Sequence, residues 1–250
     1  MPISVVFQRV LDDADVAATE LVEDWRSPLR QRGWLVVEDI RGRAHCERLL
    51  GQLGSLLPQY GGRLRHEVRF RPGFDDLQYS QSANAIMPHT EAPGHSPPPR
   101  FLALHCHHQA RCGGGHTVLA DGYELIRSLP APVLEEAEKR PIRFDLATGA
   151  SGAAPAPLLD RAGNTTLLRY SYNVMRDGAL EGPARVSDDL DGIDPFHREL
   201  CRRGVEFNRR FGVAVLVPDD ALLVIDNWRM LHSRGPFRDR ARHLTRYWVG

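Results

Sequence analysis

Apolar residues in this chain gather into short stretches whose spacing alternates between two periods. In DADVAATELVEDWRSPLRQRG, residues 13–33, Ala17, Leu21 and Trp25 recur every fourth position, and Asp13 or Asp15 stands where an N-cap belongs, so the spacing predicts a helix. WLVVEDI, residues 34–40, is a short β-type run, and residues 43–58 form a second amphipathic helix ending near Pro58. Residues 59–100 are rich in Gly, Pro and Ser and read as loops. FLALHCHHQA (101–110) is a strand, RCGGGHT a glycine-rich turn, and TVLADG (117–122) a further strand. One or two short helices fit 123–139 around Pro130 and Pro132, a mobile loop fits the small, polar stretch 146–166, and TLLRYSYNVM fits a strand. Phe196, Leu200 and Phe207 predict a helix within 190–211, and VAVLVP, ALLVIDN and HLTRYWV close the chain as β segments. The resulting class is mainly β with flanking helices.

Length and charge narrow this picture. The 250 residues are expected to form a single domain, 1–250, with one sizeable core. With 32 basic and 32 acidic side chains there is no basic excess to attract nucleic acid or anionic membranes. Cys46, Cys106, Cys112 and Cys201 form no CxxC pair, which argues against a disulfide framework or a zinc ribbon. The first twenty residues lack the basic start and apolar run of a signal peptide, and no stretch is apolar enough to span a bilayer, so the expected setting is cytoplasmic.

The chemistry enters at His89-Thr90-Glu91. In an extended segment residues i and i+2 project to the same side, so the imidazole and the carboxylate can grip one ion. His232, which follows ALLVIDNWRML and precedes another strand, is the best third ligand. Two histidines and a carboxylate on one face form the donor set of iron(II) oxygenases and leave positions open for co-substrate and oxygen. A rival zinc cluster is conceivable at His105-Cys106-His107-His108 with Cys112 and His116, but a strand would turn alternate members to opposite faces. Downstream, Arg242, Leu244 and Arg246 share one strand face. Two guanidinium groups turned into a barrel need anions, which a dicarboxylate such as 2-oxoglutarate supplies in bidentate geometry; turned outward, they would decorate a solvated edge strand.

Three pieces, PHTE at 88–91, PPPRFLALHCHHQARCGGGHTVLADG at 97–122 and IDNWRMLHSRGPFRDRARHLTRYWV at 225–249, occur in an order and with gaps that resemble the TauD/TfdA dioxygenases, most of all their clavaminate-synthase-like branch. The resemblance implies a double-stranded β-helix (jelly roll), with Fe(II) held by His89, Glu91 and His232 as the catalytic centre, and 2-oxoglutarate and O2 as co-substrates. It further implies that Thr117, which closes the glycine-rich turn, and Arg242 hold 2-oxoglutarate, with Arg246 beside them on co-substrate or substrate. The sequence departs from the pattern in three ways: Glu rather than Asp at 91, an arginine slightly early after His232, and a chain shorter than most members. The second departure leaves the choice between Arg242 and Arg246 as main anchor open.

The implied activity is hydroxylation of an unactivated carbon in a small molecule such as an amino acid, a related acid or a biosynthetic intermediate. Desaturation, cyclisation or epimerisation would follow from the same oxidant. Two readings of other kinds remain: a non-catalytic cupin-type barrel that binds a metal or ligand, and a zinc or manganese hydrolase. Arg169, Tyr170, Tyr172 and Asn173, and before the metal motif Gln81 and Asn84, are candidates to line the pocket.

Overall fold

The computed structural model describes residues 3–11, 14–22, 24–146, 154–162, 165–185 and 189–250. Its elements in chain order are β1 (Ile3–Leu11), β2 (Ala14–Val22), α1 (Arg26–Arg32), β3 (Trp34–Val37), α2 (Gly42–Leu50), β4 (Leu56–Leu57), β5 (His66–Arg69), β6 (Ile86–His89), β7 (Phe101–His108), β8 (Thr117–Asp121), α3 (Gly122–Arg127), α4 (Ala131–Lys139), β9 (Pro141–Ile142), β10 (Ala156–Pro157), β11 (Leu159–Ala162), β12 (Thr165–Leu168), α5 (Tyr172–Asp177), α6 (Pro195–Phe211), β13 (Val213–Val215), β14 (Leu222–Asp226), β15 (Met230–Arg234) and β16 (His243–Val249). The fold is mainly β with helices outside. A large antiparallel sheet runs β2-β1-β3-β14-β7-β16-β4, with β5 also paired to β16, and a four-stranded sheet runs β13-β8-β15-β6.

Strand alternation sorts the apolar side chains into layers. Leu102, Leu104, Leu223, Ile225, Leu244 and Trp248 of the large sheet meet Leu119, Val215 and Met230 of the small one in a shared core. The intervening residues Ala103, Leu222, Val224, Tyr247 and Val249 point the other way and are covered by Trp25 and Leu29 at α1 and by Cys46, Leu49 and Leu50 of α2. On the small sheet, Ala120 and Leu231 face outward under α3–α6, against Leu125, Ala137, Val174, Leu200 and Cys201.

Several expectations need correction. Most of the helix expected over 13–33 is instead β2, which pairs with β1 from Leu11↔Ala14 to Ile3↔Val22, while β1 extends the sheet at Val5↔Val37. A cross-strand ladder thus overrides a weak local spacing. Only α1 is helical, and Gly33, at φ 83°, ends it. The second helix stops at Leu50: Ser55 and Gly250 exchange backbone hydrogen bonds of 2.9 and 3.0 Å, and a Cβ at Gly54 would lie 2.1 Å from the Gly250 carbonyl oxygen. Within 146–166, residues 147–153 and 163–164 lie outside the described residues, but the remainder forms β10 and β11, the latter a hairpin with β12. The strand expected over TLLRYSYNVM ends at Leu168, because the Ser171 hydroxyl accepts from the Val174 amide and caps α5.

Candidate active site

β6 and β15 are antiparallel neighbours, and their register sets His89 directly opposite His232, with ring centroids 4.1 Å apart. Glu91 follows just beyond the end of β6, and its backbone is fixed by the side chain of buried Asn227. The Glu91 amide donates to Asn227 Oδ1 at 2.6 Å, while Asn227 Nδ2 donates to the carbonyls of Glu91 (3.0 Å) and Pro99 (2.9 Å). Between the two, the Thr90 amide donates to the Tyr170 carbonyl at 2.8 Å, and Thr90 Oγ1 accepts from the Tyr170 amide at 3.0 Å. The tripeptide is thus held from both sides. One ligand atom from each of His89, Glu91 and His232 lies within 4.8 Å of the others, and no other such His/Cys/Asp/Glu group occurs among the described residues.

The protonation of these groups suits metal binding. His89 Nδ1 lies 2.8 Å from the Met87 carbonyl, which can only accept, so Nδ1 carries the hydrogen and Nε2 keeps its lone pair. Burial, with His232 alongside, pushes the His89 pKa down to about 3 and keeps the ring neutral. Burial alone would raise the Glu91 carboxyl, but Arg246 and the two imidazoles hold it at about 2. Arg246 Nη1 stands 2.9 Å from Glu91 Oε1, and His232 Nε2 stands 3.9 Å from Oε2. Gln59 fixes the guanidinium: Arg246 Nε donates to Gln59 Oε1, and Gln59 Nε2 to the Arg246 carbonyl, each at 2.8 Å.

A cavity of about 360 Å³ opens over this group, with Glu91 and Arg246 on its floor, Tyr60, Phe74 and Leu77 among its walls, and Gln78, Asn173 and Glu181 as polar lining. Arg242 is not part of that lining. It is 4 % exposed, and its Nη1 is buried without a hydrogen-bond partner. Its guanidinium lies 5.1 Å from the Phe237 ring, and burial pushes its pKa down to about 10, so it stays charged at neutral pH. The solvated edge strand does not describe β16, which pairs with β7 on one side and with β4 and β5 on the other. Thr117 opens β8, buried, opposite Arg234 in the β8–β15 pairing.

The other candidates divide. Asn173 lines the cavity from α5, not from a strand. Tyr170 is core, donating to the Leu200 carbonyl at 2.9 Å, and Tyr172 is packed in the same cluster. Arg169 is buried 3.5 Å from Asp160. Gln81 donates to the Glu67 carbonyl, and Asn84 to the carbonyls of Asp75 and Leu77, so both brace the loop that reaches the cavity without lining it themselves. Cys106 of the rival zinc cluster is buried in the core between the sheets, while His105 and His107 meet edge to face on the opposite side. Gln59, Asn227 and Arg234 are functional-looking residues that sequence reasoning passed over. Asn227 and Arg234 sat within the matching piece 225–249, but nothing in the sequence pointed to the backbone groups they serve.

A mainly β scaffold that brings two imidazoles and a carboxylate together across two paired strands, beneath an open cavity, belongs to the class of mononuclear metal oxygenase folds. The chain is a member of the family described as "Taurine catabolism dioxygenase TauD, TfdA family", which it matches over residues 6–248. Members of that family are Fe(II)- and 2-oxoglutarate-dependent dioxygenases consuming O2. No curated protein matches the chain. Among solved structures it resembles an asparagine oxygenase in complex with Fe(II), 2S,3S-3-hydroxyasparagine and succinate, at TM-score 0.61 and 21 % identity over 78 % of this chain and 59 % of that one. It also resembles the non-haem iron oxygenase OrfP in complex with Fe and α-ketoglutaric acid, at TM-score 0.62 and 18 % identity over 85 % of this chain and 68 % of that one. The PvcB protein of Pseudomonas aeruginosa aligns at TM-score 0.60 and 19 % identity over 90 % of this chain and 77 % of that one. The chain thus spans 59 % of the first of these structures. Identities this low speak for the fold. In the described residues no helix is long and apolar enough to cross a membrane.

Proposed function

We propose that the chain is an Fe(II)- and 2-oxoglutarate-dependent oxygenase that hydroxylates an unactivated carbon of a small molecule, with His89, Glu91 and His232 as metal ligands. The observation that carries this reading is the convergence of those three donors within 4.8 Å of one another. Imidazole and carboxylate donors suit iron(II), and three ligands on one side leave the other side open. On this reading the two facing sheets form a double-stranded β-helix, and the single domain of residues 1–250 is the catalytic unit. The candidate substrates are an amino acid, a related acid or a biosynthetic intermediate; the neighbours that carry hydroxyasparagine or hydroxyarginine favour the first.

The residues also fit the co-substrate. Arg242 is a buried guanidinium with an unpartnered Nη1, and such a group costs free energy unless an anion meets it. The distal carboxylate of 2-oxoglutarate supplies that anion, with Thr117 across β8 as a hydroxyl partner. Arg246 is the weaker anchor because Glu91 already neutralises it. The iron, when bound, couples oxidative decarboxylation of 2-oxoglutarate to oxidation of a substrate carbon. The chain's own residues do the rest. Asn227 and Thr90 fix the backbone that aims Glu91, Met87 sets the His89 tautomer, and Arg246 commits one Glu91 oxygen so that the carboxylate offers the other. Phe74, Leu77 and Met87 surround the open side of the site with apolar groups and so exclude water.

The test is anaerobic addition of 2-oxoglutarate to the Fe(II)-loaded protein, followed by succinate release in air. A weak visible charge-transfer band and succinate are expected. A folded, iron-loaded sample giving neither would favour a hydrolase or a binding barrel.

A further inference from the structure

Arg234 is two residues beyond His232 on β15, and its guanidinium does no ion pairing among the described residues. It is 7 % exposed and spends its donors on main chain: Nη1 on the Ser80 carbonyl at 3.2 Å, and Nη2 on the carbonyls of Tyr79 (3.2 Å), Ser82 (2.8 Å) and Asn84 (2.7 Å). Its Nε is buried without a partner. Those carbonyls belong to the loop that carries Phe74, Leu77, Gln78, Tyr79 and Ser80 into the cavity wall. Other bonds also tie this loop to its surroundings, among them Phe237 N to the Ala83 carbonyl at 3.0 Å, Arg71 N to the Gln81 carbonyl at 2.9 Å and Gln81 Nε2 to the Glu67 carbonyl at 3.3 Å, but Arg234 alone gathers four of its carbonyls.

A second relationship gives this tie a direction. The guanidinium carbons of Arg234 and Arg242 each lie 5.1 Å from the Phe237 ring, so two buried cations share one aromatic neighbour. Neither has a carboxylate within ion-pair distance among the described residues. Like charges in a poorly hydrated site repel, and an anion entering beside them relieves the repulsion and strengthens every bond the cations already make.

We propose that Arg234 is a positioning residue through which 2-oxoglutarate binding at Arg242 firms the 77–84 wall of the substrate cavity. The proposal rests on the functional reading above and deepens it. An anion at Arg242 removes the penalty that Arg234 bears, so the bonds its forked donors already make to the loop carbonyls strengthen, and the wall that meets the substrate is held more firmly when the co-substrate is present. Lysine could keep the charge but not the fork.

Hydrogen exchange on the anaerobic Fe(II)-loaded protein, with and without 2-oxoglutarate, tests this. In the wild type, 2-oxoglutarate is expected to slow exchange of amides in 77–84 about tenfold, the scale of one charge-assisted hydrogen bond. In Arg234→Gln and Arg234→Lys the 2-oxoglutarate response of that segment is expected to vanish while iron still binds. A merely structural arginine would loosen the loop equally with and without co-substrate and leave the ratio intact; that outcome overturns the proposal. So does a wild type that binds 2-oxoglutarate with no change in 77–84, which needs no variant to fold. Absence of 2-oxoglutarate binding to wild type would instead sink the functional reading, and the proposal with it.

Discussion

Arg246 Nη1 sits 2.9 Å from Glu91 Oε1, and the other Glu91 oxygen, Oε2, faces His232 Nε2 at 3.9 Å. On the proposed function, the pair divides the carboxylate between a cation and the metal. Removing Arg246 leaves burial as the dominant influence on the Glu91 carboxyl, so its pKa rises from about 2. A proton then competes with iron at higher pH. In Arg246→Ala the acidic edge of Fe(II) binding should move up by about one pH unit or more, with Arg246→Lys between it and wild type. Titrating Fe(II) affinity against pH decides this; an edge that stays in place would mean that Arg246 does not hold the carboxylate ready for the metal.

His89→Ala and His232→Ala should each abolish Fe(II) binding and turnover while leaving the thermal midpoint within a few degrees of wild type. Each ring is a proposed ligand, His89 at the end of β6 and His232 within β15, and both lie outside the three hydrophobic clusters. Arg242→Ala should spare iron and raise the 2-oxoglutarate requirement by roughly tenfold to a hundredfold, the scale of a charge-assisted pair. Iron stoichiometry and 2-oxoglutarate titration separate the two classes. Activity unchanged in all three variants would refute the site.

Gly115 offers a subtler handle on the same anchor. Its φ is +81°, and an added Cβ would lie 3.0 Å from Arg242 Nε and 3.3 Å from Phe237 Cβ. Gly115→Ala therefore forces a strained backbone and displaces the guanidinium together, at a cost of about 1–2 kcal/mol for the conformation alone. The 2-oxoglutarate KM should rise without loss of iron. A variant with wild-type KM would show that Arg242 need not sit where it does.

The strands that hold the site were readable in the sequence because each carries its own apolar run, as FLALHCHH and LLVID do. The His89-Thr90-Glu91 motif and His232 were readable because residue types and alternation are local properties. Their partners were not. Asn227 acts on the backbone of Glu91, 136 residues earlier, and Arg234 on the carbonyls of a loop 150–155 residues earlier. No side-chain pattern announces a bond to main chain. The β1–β2 hairpin was missed for the related reason that a ladder between 3–11 and 14–22 is made by pairing and not by either segment alone.

Asn227 should be the most costly single truncation at the site among residues that are not themselves proposed ligands. Its amide serves three backbone groups, two of them on Glu91, and it is 1 % exposed. Asn227→Ala strands those groups away from water at about 1–3 kcal/mol each, only partly recovered by relaxation. A loss of about 2–4 kcal/mol in denaturant unfolding is expected, together with weaker Fe(II) binding because Glu91 is no longer aimed. Loss of stability with full iron affinity would confine Asn227 to the fold.

Outside the site, His105 makes the stability of the fold depend on pH. It is 1 % exposed, neither ring nitrogen has a hydrogen-bond partner among the described residues, and its ring meets that of His107 edge to face, with centroids 4.4 Å apart. Burial, with His107 and His243 adding to it and Asp220 opposing, pushes its pKa down from 6.5 to about 4. Between those values the unfolded chain takes up a proton that the folded chain refuses. Stability contributed by the neutral ring is therefore complete above pH 6.5 and is lost as pH falls towards 4, below which the loss levels off. His105→Leu removes the proton site and keeps an apolar ring-sized group in the sheet, so its unfolding free energy should fall less steeply across that window. The difference between wild-type and variant curves, measured by denaturant unfolding of the metal-free protein from pH 7.5 to 4, isolates this one group from every other that titrates in both, and parallel curves would mean that His105 is protonated as readily in the fold as outside it.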